Sequence, residues 1–264
     1  MKHLHRGLNF FRFLAHREDW NLGIVHQPAA DIALNGLRGP IQWLPPAPDA
    51  VIYADPGCLC LPDGTRHLFA EFLEHGHERG QIWTAEIPPG ADPARARLAP
   101  LLRMPNHMSY PFPFVADDGS VYMTAETWQA GEARLWQYQD GAWAEAGTLF
   151  AGRGVVDPTL WRDPNGWWLF CTLVDDRPNE HLHIFHAPRL GDPWTPHRMN
   201  PVVRDRRHAR PGGPLFQAGG WLIRPAQDCS TTYGAAVTIR AIRHLSLDRY
   251  EEETIRRIEP QHEH

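Results

Sequence analysis

Four segments of the chain repeat one pattern: a polar residue, a proline, a short apolar strand, a turn that contains glycine, and a second apolar or aromatic strand. The repeated prolines are Pro56, Pro111, Pro158 and Pro211, which lie 55, 47 and 53 residues apart. The four turns contain Asp63-Gly64, Asp118-Gly119, Asn165-Gly166 and Gly219-Gly220. Glycine accepts the positive φ of a tight hairpin turn. The pattern therefore predicts four antiparallel hairpins at the spacing of β-propeller blades.

Further strands extend this pattern at both ends of the chain. Third strands are predicted at Gln81–Ile87, Ala133–Tyr138, His181–His186 and within Gly234–Leu245. Trp20–Val25 and Tyr250–Ile255 also have strand character, and together they would form a fifth blade that closes the ring and removes exposed strand edges. We predict an all-β fold, a five-bladed β-propeller closed by N- and C-terminal strands. A β-sandwich is the structural alternative, but it does not explain the repeat.

The predicted domain organisation is one propeller over residues 19–258, with an N-terminal extension over 1–18 and a flexible tail over 259–264. The composition agrees, since 25 Pro and 22 Gly in 264 residues favour short strands and tight turns. A net charge of −5 argues against a nucleic-acid partner. The chain has no apolar run long enough to span a membrane and no convincing signal peptide. None of its four cysteines forms a C-x-x-C pair, so we expect a cytoplasmic protein.

The residue before each repeated proline is the first candidate for function. These residues are Asp55, Tyr110, Asp157 and Arg210. The first strand of each propeller blade lines the central channel, so the four side chains are expected at one mouth of that channel. Asp before Pro is also a common turn residue. The recurrence of Asp at one repeat position favours a functional role for Asp55 and Asp157.

A second set of candidates follows the hairpins. Glu71, Glu126 and Gln227 each lie seven residues after the glycine of their hairpin, and Asp228 is next to Gln227. The carboxylates are candidate catalytic groups, or solvated loop residues. Arg224 and Arg210 would bind an anionic group, or neutralise buried acids.

Other chemistry has little support in the sequence. His107 precedes a channel strand and is a candidate substrate contact or a structural residue. His181 and His183 share a strand face, but no third ligand is evident, so no metal site is predicted. Nucleotide-binding, nucleophile-elbow and zinc-protease motifs are absent from the chain. We therefore expect no cofactor.

The Asp-Pro motifs at 55–56 and 157–158 resemble those of five-bladed furanosidase-type propellers, the arabinanase, xylosidase and invertase-like glycoside hydrolases. That resemblance implies that Asp55 is a base or nucleophile and that Asp157 is a second essential carboxylate. These families also carry a Glu acid in the fourth blade. The corresponding residue here is Arg210, which departs from the family pattern.

A closer similarity is to the propeller at the N-terminus of plant glucosamine inositolphosphorylceramide transferases and to bacterial proteins of surface-polysaccharide gene clusters. It covers about residues 18–252. The stretches that carry it are His107-Met108-Ser109-Tyr110-Pro111-Phe112, Asp157-Pro158-Thr159-Leu160-Trp161, Arg210-Pro211-Gly212-Gly213 and Arg224-Pro225-Ala226-Gln227-Asp228-Cys229, followed by Tyr233-Gly234. The expected substrate-binding residues are His107, Tyr110, Arg210, Arg224, Gln227 and Tyr233.

Two functions remain open from the sequence. The first is a glycoside hydrolase or glycosyl-transferring enzyme for an acidic or phosphorylated, furanosidic saccharide. Glycosidases need an acid and a base or nucleophile. Asp55 would be the base or nucleophile, Asp157 would orient the sugar or tune pKa values, and Glu126, Glu71 or Asp228 would be the acid.

The second function is a non-catalytic carbohydrate-binding or scaffolding propeller that works with a glycosyltransferase in surface-polysaccharide synthesis. The expected partners are a saccharide or glycoconjugate, and in this second case a glycosyltransferase.

Overall fold

The computed structural model describes residues 20–48, 51–61, 63–77 and 79–260. The expected extension over 1–18 lies outside these residues, as does 261–264 of the expected tail. The chain divides into two compact units: the described residues up to Ile24 with Ile41–Ser109, and Val25–Pro40 with the described residues from Tyr110 onwards. Among the described residues, no helix has the length and apolar character needed to cross a membrane. A single domain over 19–258 stays a prediction.

The first compact unit is built on one four-stranded antiparallel sheet with the order β3-β4-β5-β6. A two-stranded sheet precedes it in sequence. The strands are β1 (Gly23–Val25), β2 (Ile41–Trp43), β3 (Val51–Cys60), β4 (Arg66–Glu74), β5 (Gln81–Ile87) and β6 (Ala99–Leu102), with a 3-10 turn at Pro93–Arg95. The third strand predicted at Gln81–Ile87 is confirmed, since β5 has these bounds. The core of this unit is aromatic, and Phe72 stacks on Trp83 with ring centroids 3.9 Å apart.

The second compact unit contains three further sheets. The second sheet has the order β10-β9-β8-β7 and consists of β7 (Ser109–Val115), β8 (Val121–Glu126), β9 (Glu132–Gln139) and β10 (Ala142–Ala151). The third sheet has the order β11-β12-β13-β14, with β15 also paired to β13. Its strands are β11 (Val155–Asp163), β12 (Gly166–Leu173), β13 (His181–Ala187), β14 (Thr195–Pro196) and β15 (Val203–Arg204). A 3-10 turn at Trp128–Ala130 joins β8 to β9.

The fourth sheet has the order β16-β18-β19-β20, with β17 also paired to β18. Its strands are β16 (Arg210–Pro211), β17 (Phe216–Ala218), β18 (Trp221–Asp228), β19 (Ala236–Leu245) and β20 (Tyr250–Ile258). The short helix α1 (Ala29–Asn35) packs on this sheet, and the guanidinium of Arg256 donates to its last carbonyl groups, those of Ala33 and Leu34.

The predicted fifth blade is not present among the described residues. The C-terminal strand β20 pairs with β19 as the outer strand of the fourth sheet, and β1 pairs with β2. The physical reason is local. Only a short turn separates β19 from β20, in which the Ser246 N–H donates to the Arg249 carbonyl, so β20 folds back on the open edge of its neighbour. The described part of the chain therefore contains four propeller-type sheets.

Neighbouring sheets of the second compact unit bury apolar side chains between their faces. Phe114 of β7 meets Trp167 of β12 edge to face at 5.4 Å. Phe170 of β12 meets Tyr250 of β20 at 6.3 Å. Face-to-face packing of successive sheets about a shared apolar core is the arrangement of blades in a propeller.

Three residues before a repeated proline adopt the left-handed backbone. Asp55, Tyr110 and Asp157 have φ of +49°, +47° and +51°. In β3 and β11 the strand pairing shifts around this residue, between Ala54 and Gly57 in β3. A bulge of this kind re-aims a side chain, and a positive φ at a non-glycine residue stores strain. The residue before the proline therefore has the same irregular, left-handed backbone in three of the four repeats.

Candidate functional site

Asp157 is the centre of a buried polar cluster in the second compact unit. Asp157 is only 1% exposed to solvent. The Arg210 guanidinium donates to both carboxylate oxygens, from Nε at 2.6 Å and from Nη2 at 3.2 Å. Gln227 Nε2 donates to the same carboxylate at 3.3 Å. A bidentate guanidinium–carboxylate pair is strong and fixes the orientation of both groups.

Glu126, at the end of β8, lies against Asp157. Its residue is 5% exposed, and its Oε2 accepts the backbone N–H of Asp157 at 3.0 Å. Burial raises the pKa of the Asp157 carboxyl above its ordinary value, and the charge of Arg210 and its hydrogen bond offset that rise only in part. Two buried acidic residues thus lie next to each other, and the Arg210 guanidinium pairs with Asp157.

Arg210 links this carboxylate pair to the protein surface. Its Nη1 donates to Asn179 Oδ1 at 3.1 Å, and its guanidinium carbon lies 5.0 Å from the ring centroid of Tyr233. Tyr233 is 41% exposed, so the stacked ring faces solvent. Burial alone would lower the pKa of Arg210, but the negative charge of Asp157 outweighs it, and the pKa is raised.

Strand pairing explains why Gln227 joins the cluster. Arg210 in β16 is directly opposite Gln227 in β18, and the Gln227 amide also donates to the Pro211 carbonyl at 3.0 Å. The equal offset of Glu126 and Gln227 from their hairpin glycines places both at the same end of the second strand. The sequence repeat is therefore the signal that finds both residues.

Tyr110 supports the backbone around Asp157. Its hydroxyl is 2.8 Å from Thr159 Oγ1 and accepts the Gly213 N–H at 3.1 Å. Thr159 Oγ1 in turn donates to the Asp157 carbonyl at 3.1 Å. Tyr110 is buried, and these contacts tie β7, β11 and the segment after β16 together. Thr159 and Asn179 belong to this cluster, although sequence reasoning did not select them as site residues; both lie close to predicted motifs.

Arg224 is not brought into the cluster. Residues 224 and 227 of one strand point to opposite faces, because side chains alternate along a strand. Arg224 donates to both oxygens of Glu252, at 2.9 and 2.7 Å, and to the His208 carbonyl at 2.6 Å. Its partner Glu252 also accepts the Tyr250 hydroxyl at 2.6 Å. The contacts of Arg224 are those of a structural ion pair inside the fourth sheet.

Asp228 lies on the same strand face as Arg224. Its Oδ1 accepts the Ser230 N–H at 2.9 Å, and its Oδ2 accepts from Arg257 at 2.9 Å. Burial alone would raise the pKa of Asp228, yet these hydrogen bonds hold it below its ordinary value. Both oxygens are thus engaged in a turn and in an ion pair, and neither contacts the Asp157 cluster.

The remaining candidates lie in the first compact unit. Glu71 was expected at the start of a loop, but β4 continues past it to Glu74, and Glu71 is buried with Oε1 3.7 Å from Nε2 of His107. The His107 Nδ1 accepts the Gly80 N–H at 3.0 Å. A Cβ on Gly80 would meet Glu71 Oε1 and the Met108 carbonyl, each at 2.4 Å, so glycine lets these groups approach. Asp55 occupies its left-handed position in β3, next to the Ala54–Glu71 pair of the ladder.

The histidines of β13 have an acidic partner. His181 Nδ1 and His183 Nε2 lie 2.9 and 2.8 Å from the two oxygens of Asp176. Within the described part of the chain, no group of three or more His, Cys, Asp or Glu residues is placed to hold a metal ion.

The fold is similar to that of several solved β-propellers. A family-43 β-1,3-galactosidase is similar over 77% of this chain and 75% of its own, with a TM-score of 0.61 and 12% identity. The catalytic domain of the family-62 α-L-arabinofuranosidase of Coprinopsis cinerea is similar over 75% of this chain and 67% of its own, with a TM-score of 0.56 and 16% identity. At these identities the likeness establishes the fold alone: an all-β propeller.

The sequence matches one family more specifically. Residues 54–263 match the family described as the N-terminal part of glucosamine inositolphosphorylceramide transferase 1, and the chain belongs to that family. The transferase of Oryza sativa subsp. japonica is 34% identical over 153 residues, and that of Arabidopsis thaliana 29% over the same length. The matched region is 55% of this chain but 20% of each relative. The family resemblance expected from the motifs is confirmed, and the chain is related to carbohydrate-active proteins.

Proposed function

We propose that the chain is a carbohydrate-active enzyme that cleaves or transfers a glycosyl group of an acidic or phosphorylated saccharide at the Asp157 cluster. One observation carries this proposal. Glu126 and Asp157 are buried next to each other, the Asp157 backbone N–H donates to Glu126 Oε2, and the Arg210 guanidinium pairs with Asp157. Groups of this kind supply the proton that glycosidic bond cleavage requires.

The charge of the cluster determines where that proton resides. We propose that the pair shares one proton, because two neighbouring ionised carboxylates would repel each other. We assign the general-acid role to Glu126, and a positioning role to Asp157, whose two oxygens accept hydrogen bonds from Arg210.

The surface side of the cluster suits a sugar. Tyr233 exposes an aromatic face backed by the Arg210 guanidinium, and aromatic faces bind the apolar side of sugar rings. The proposed role of Asp55 as base or nucleophile rests on the repeat and stays a prediction, which Asp55→Asn tests on the same substrates.

The experiment is a substrate screen with furanosides and acidic oligosaccharides. For any substrate that the wild type turns over, Glu126→Gln is expected to lower kcat by roughly 10²–10⁴-fold, the range of general acid catalysis. Glu145→Gln removes an exposed carboxylate of β10 in the same sheet and serves as the matched control. Turnover that survives Glu126→Gln at the control level would disprove the assignment.

A second candidate function is a non-catalytic carbohydrate-binding or scaffolding propeller beside a glycosyltransferase in surface-polysaccharide synthesis, in the cytoplasm. The observation that favours it is the ion pair between Arg210 and Asp157. Arg210 occupies the fourth-blade position where the hydrolase resemblance expects a Glu. The match to one fifth of a transferase supports the same view. This function predicts saccharide binding that Tyr233→Ala weakens, with no turnover of any substrate in the screen.

A further inference from the structure

A basic segment directly precedes Arg210, the partner of Asp157, in the chain. Arg204 ends β15, and Arg206 and Arg207 follow before β16 begins at Arg210. This segment borders a surface pocket of about 390 Å³. The lining residues are Glu180, Arg204, Asp205, Arg206, Arg207 and Ser230. We call it the arginine pocket.

The floor of the arginine pocket is anchored on one side by backbone contacts. Arg206 exchanges hydrogen bonds with Cys229, whose N–H donates to the Arg206 carbonyl at 2.8 Å and whose carbonyl accepts Arg206 Nε at 3.1 Å. The Arg207 carbonyl accepts Thr238 Oγ1 at 3.1 Å. The backbone on this side of the pocket and the Arg206 side chain are therefore held in place before any ligand arrives, which lowers the entropic cost of binding.

The charges of the pocket leave one cation available. Arg207 is paired with Asp205 through Nε at 2.9 Å, and Arg206 lies 3.7 Å from Glu180. Arg204 is exposed, and its guanidinium makes no hydrogen bond or ion pair with any residue that the structure describes. Three arginines against two carboxylates give a formal charge of +1.

The arginine pocket adjoins the Asp157 cluster. Glu180 follows Asn179, the side-chain partner of Arg210. Cys229 lies two residues after Gln227. Burial raises the pKa of the Cys229 thiol, and the charges of Arg210, Asp157 and Arg206 also act on it. The segments that carry the cluster thus continue directly into the walls of the pocket.

We propose that the arginine pocket is an anion subsite that binds the phosphoryl group of the saccharide substrate, with Arg204 as its principal contact. Guanidinium groups bind phosphate through paired, charge-assisted hydrogen bonds, and Ser230 with the adjacent backbone completes the wall. The inference rests on the proposed function, because the sugar attached to that phosphoryl group would then lie on the Asp157 side.

The test is calorimetric titration of the full chain with inorganic phosphate, and separately with glucose 1-phosphate and with glucose. Loss of one charged contact weakens phosphate binding by roughly ten- to a hundredfold. Arg204→Gln is expected to do so. Arg189→Gln, a highly exposed arginine outside the pocket, is expected to bind as the wild type does. Glucose is expected to leave phosphate binding unchanged.

The outcomes separate the subsite from the catalytic proposal. Equal phosphate binding by Arg204→Gln and Arg189→Gln, or no heat with millimolar phosphate on the wild type, would overturn the subsite. If phosphate binds through Arg204 while Glu126→Gln changes no turnover, the subsite stands and the catalytic assignment fails. If glucuronate displaces phosphate with equal strength, the pocket is a general carboxylate site and the assignment to a phosphoryl group is wrong.

Discussion

Replacement of Glu252 by glutamine is expected to destabilise the fourth sheet severely. The Glu252 side chain is only 4% exposed and receives two hydrogen bonds from Arg224 and one from Tyr250. Arg240 Nε lies 3.1 Å from the same carboxylate. Glu252→Gln keeps the shape but leaves two buried guanidinium groups without a counter-charge.

The magnitude follows from the burial of all three charges. Removing one partner of a buried ion pair costs about 3–5 kcal/mol, because the remaining charge stays desolvated. A domain of this size loses roughly 2–4 °C of Tm per kcal/mol. Urea unfolding and differential scanning calorimetry measure both quantities. This result would also show that Arg224 acts through the fold, rather than through the substrate as the sequence suggested.

The neighbouring residue provides the control. Glu251 is 52% exposed and pairs with Arg249 at the surface, so Glu251→Gln is expected to cost under about 1 kcal/mol. Burial alone would raise the pKa of Glu252, but Arg224 holds it below its ordinary value. A depressed carboxyl pKa stabilises the fold above the unfolded pKa and loses this contribution as pH falls through the folded pKa. The wild type should therefore lose more stability in acid than Glu252→Gln does. Equal unfolding free energies for the two variants would refute this reasoning.

Two further predictions concern the residues around the candidate site. Tyr110→Phe leaves the Gly213 N–H without its acceptor and is expected to cost about 1–3 kcal/mol in urea unfolding, whereas Tyr122→Phe, whose hydroxyl bonds to no described residue, should cost almost nothing. A loss of equal size in both would contradict the role given to the Tyr110 hydroxyl. Asp228→Asn is expected to lower stability by about 1 kcal/mol through loss of the Arg257 pair, with unchanged turnover or saccharide binding. A loss of activity in Asp228→Asn without a loss of stability would instead support a catalytic role for Asp228.

The sequence predicted the parts of the fold that local chemistry controls. Hairpin turns at Gly64 and Gly119 require a positive φ, and both have it, at +84° and +82°. The strand β5 has its predicted bounds because alternation over seven residues is a local signal. The left-handed backbone at Asp55, Tyr110 and Asp157 was not predicted, although the repeat marked these positions.

Long-range pairing limited the prediction of the site. The Asp157–Arg210 contact joins residues 53 apart, and only their shared repeat position pointed to it. Strand alternation places Arg224 and Asp228 on one face of β18 and Gln227 on the other. The sequence does not reveal which of these two faces lies against Asp157. The partner of Arg224 lies in β20, a strand assigned to a fifth blade, so the buried ion pair could not be predicted.

The catalytic proposal requires that Glu126 and Asp157 together hold one proton at neutral pH. Carbon-13 NMR of the carboxyl groups in selectively labelled protein measures this directly. We expect one protonated carboxyl resonance at pH 7 that disappears in Glu126→Gln and persists in Glu145→Gln. Two fully ionised carboxylates in the wild type at pH 7 would contradict it.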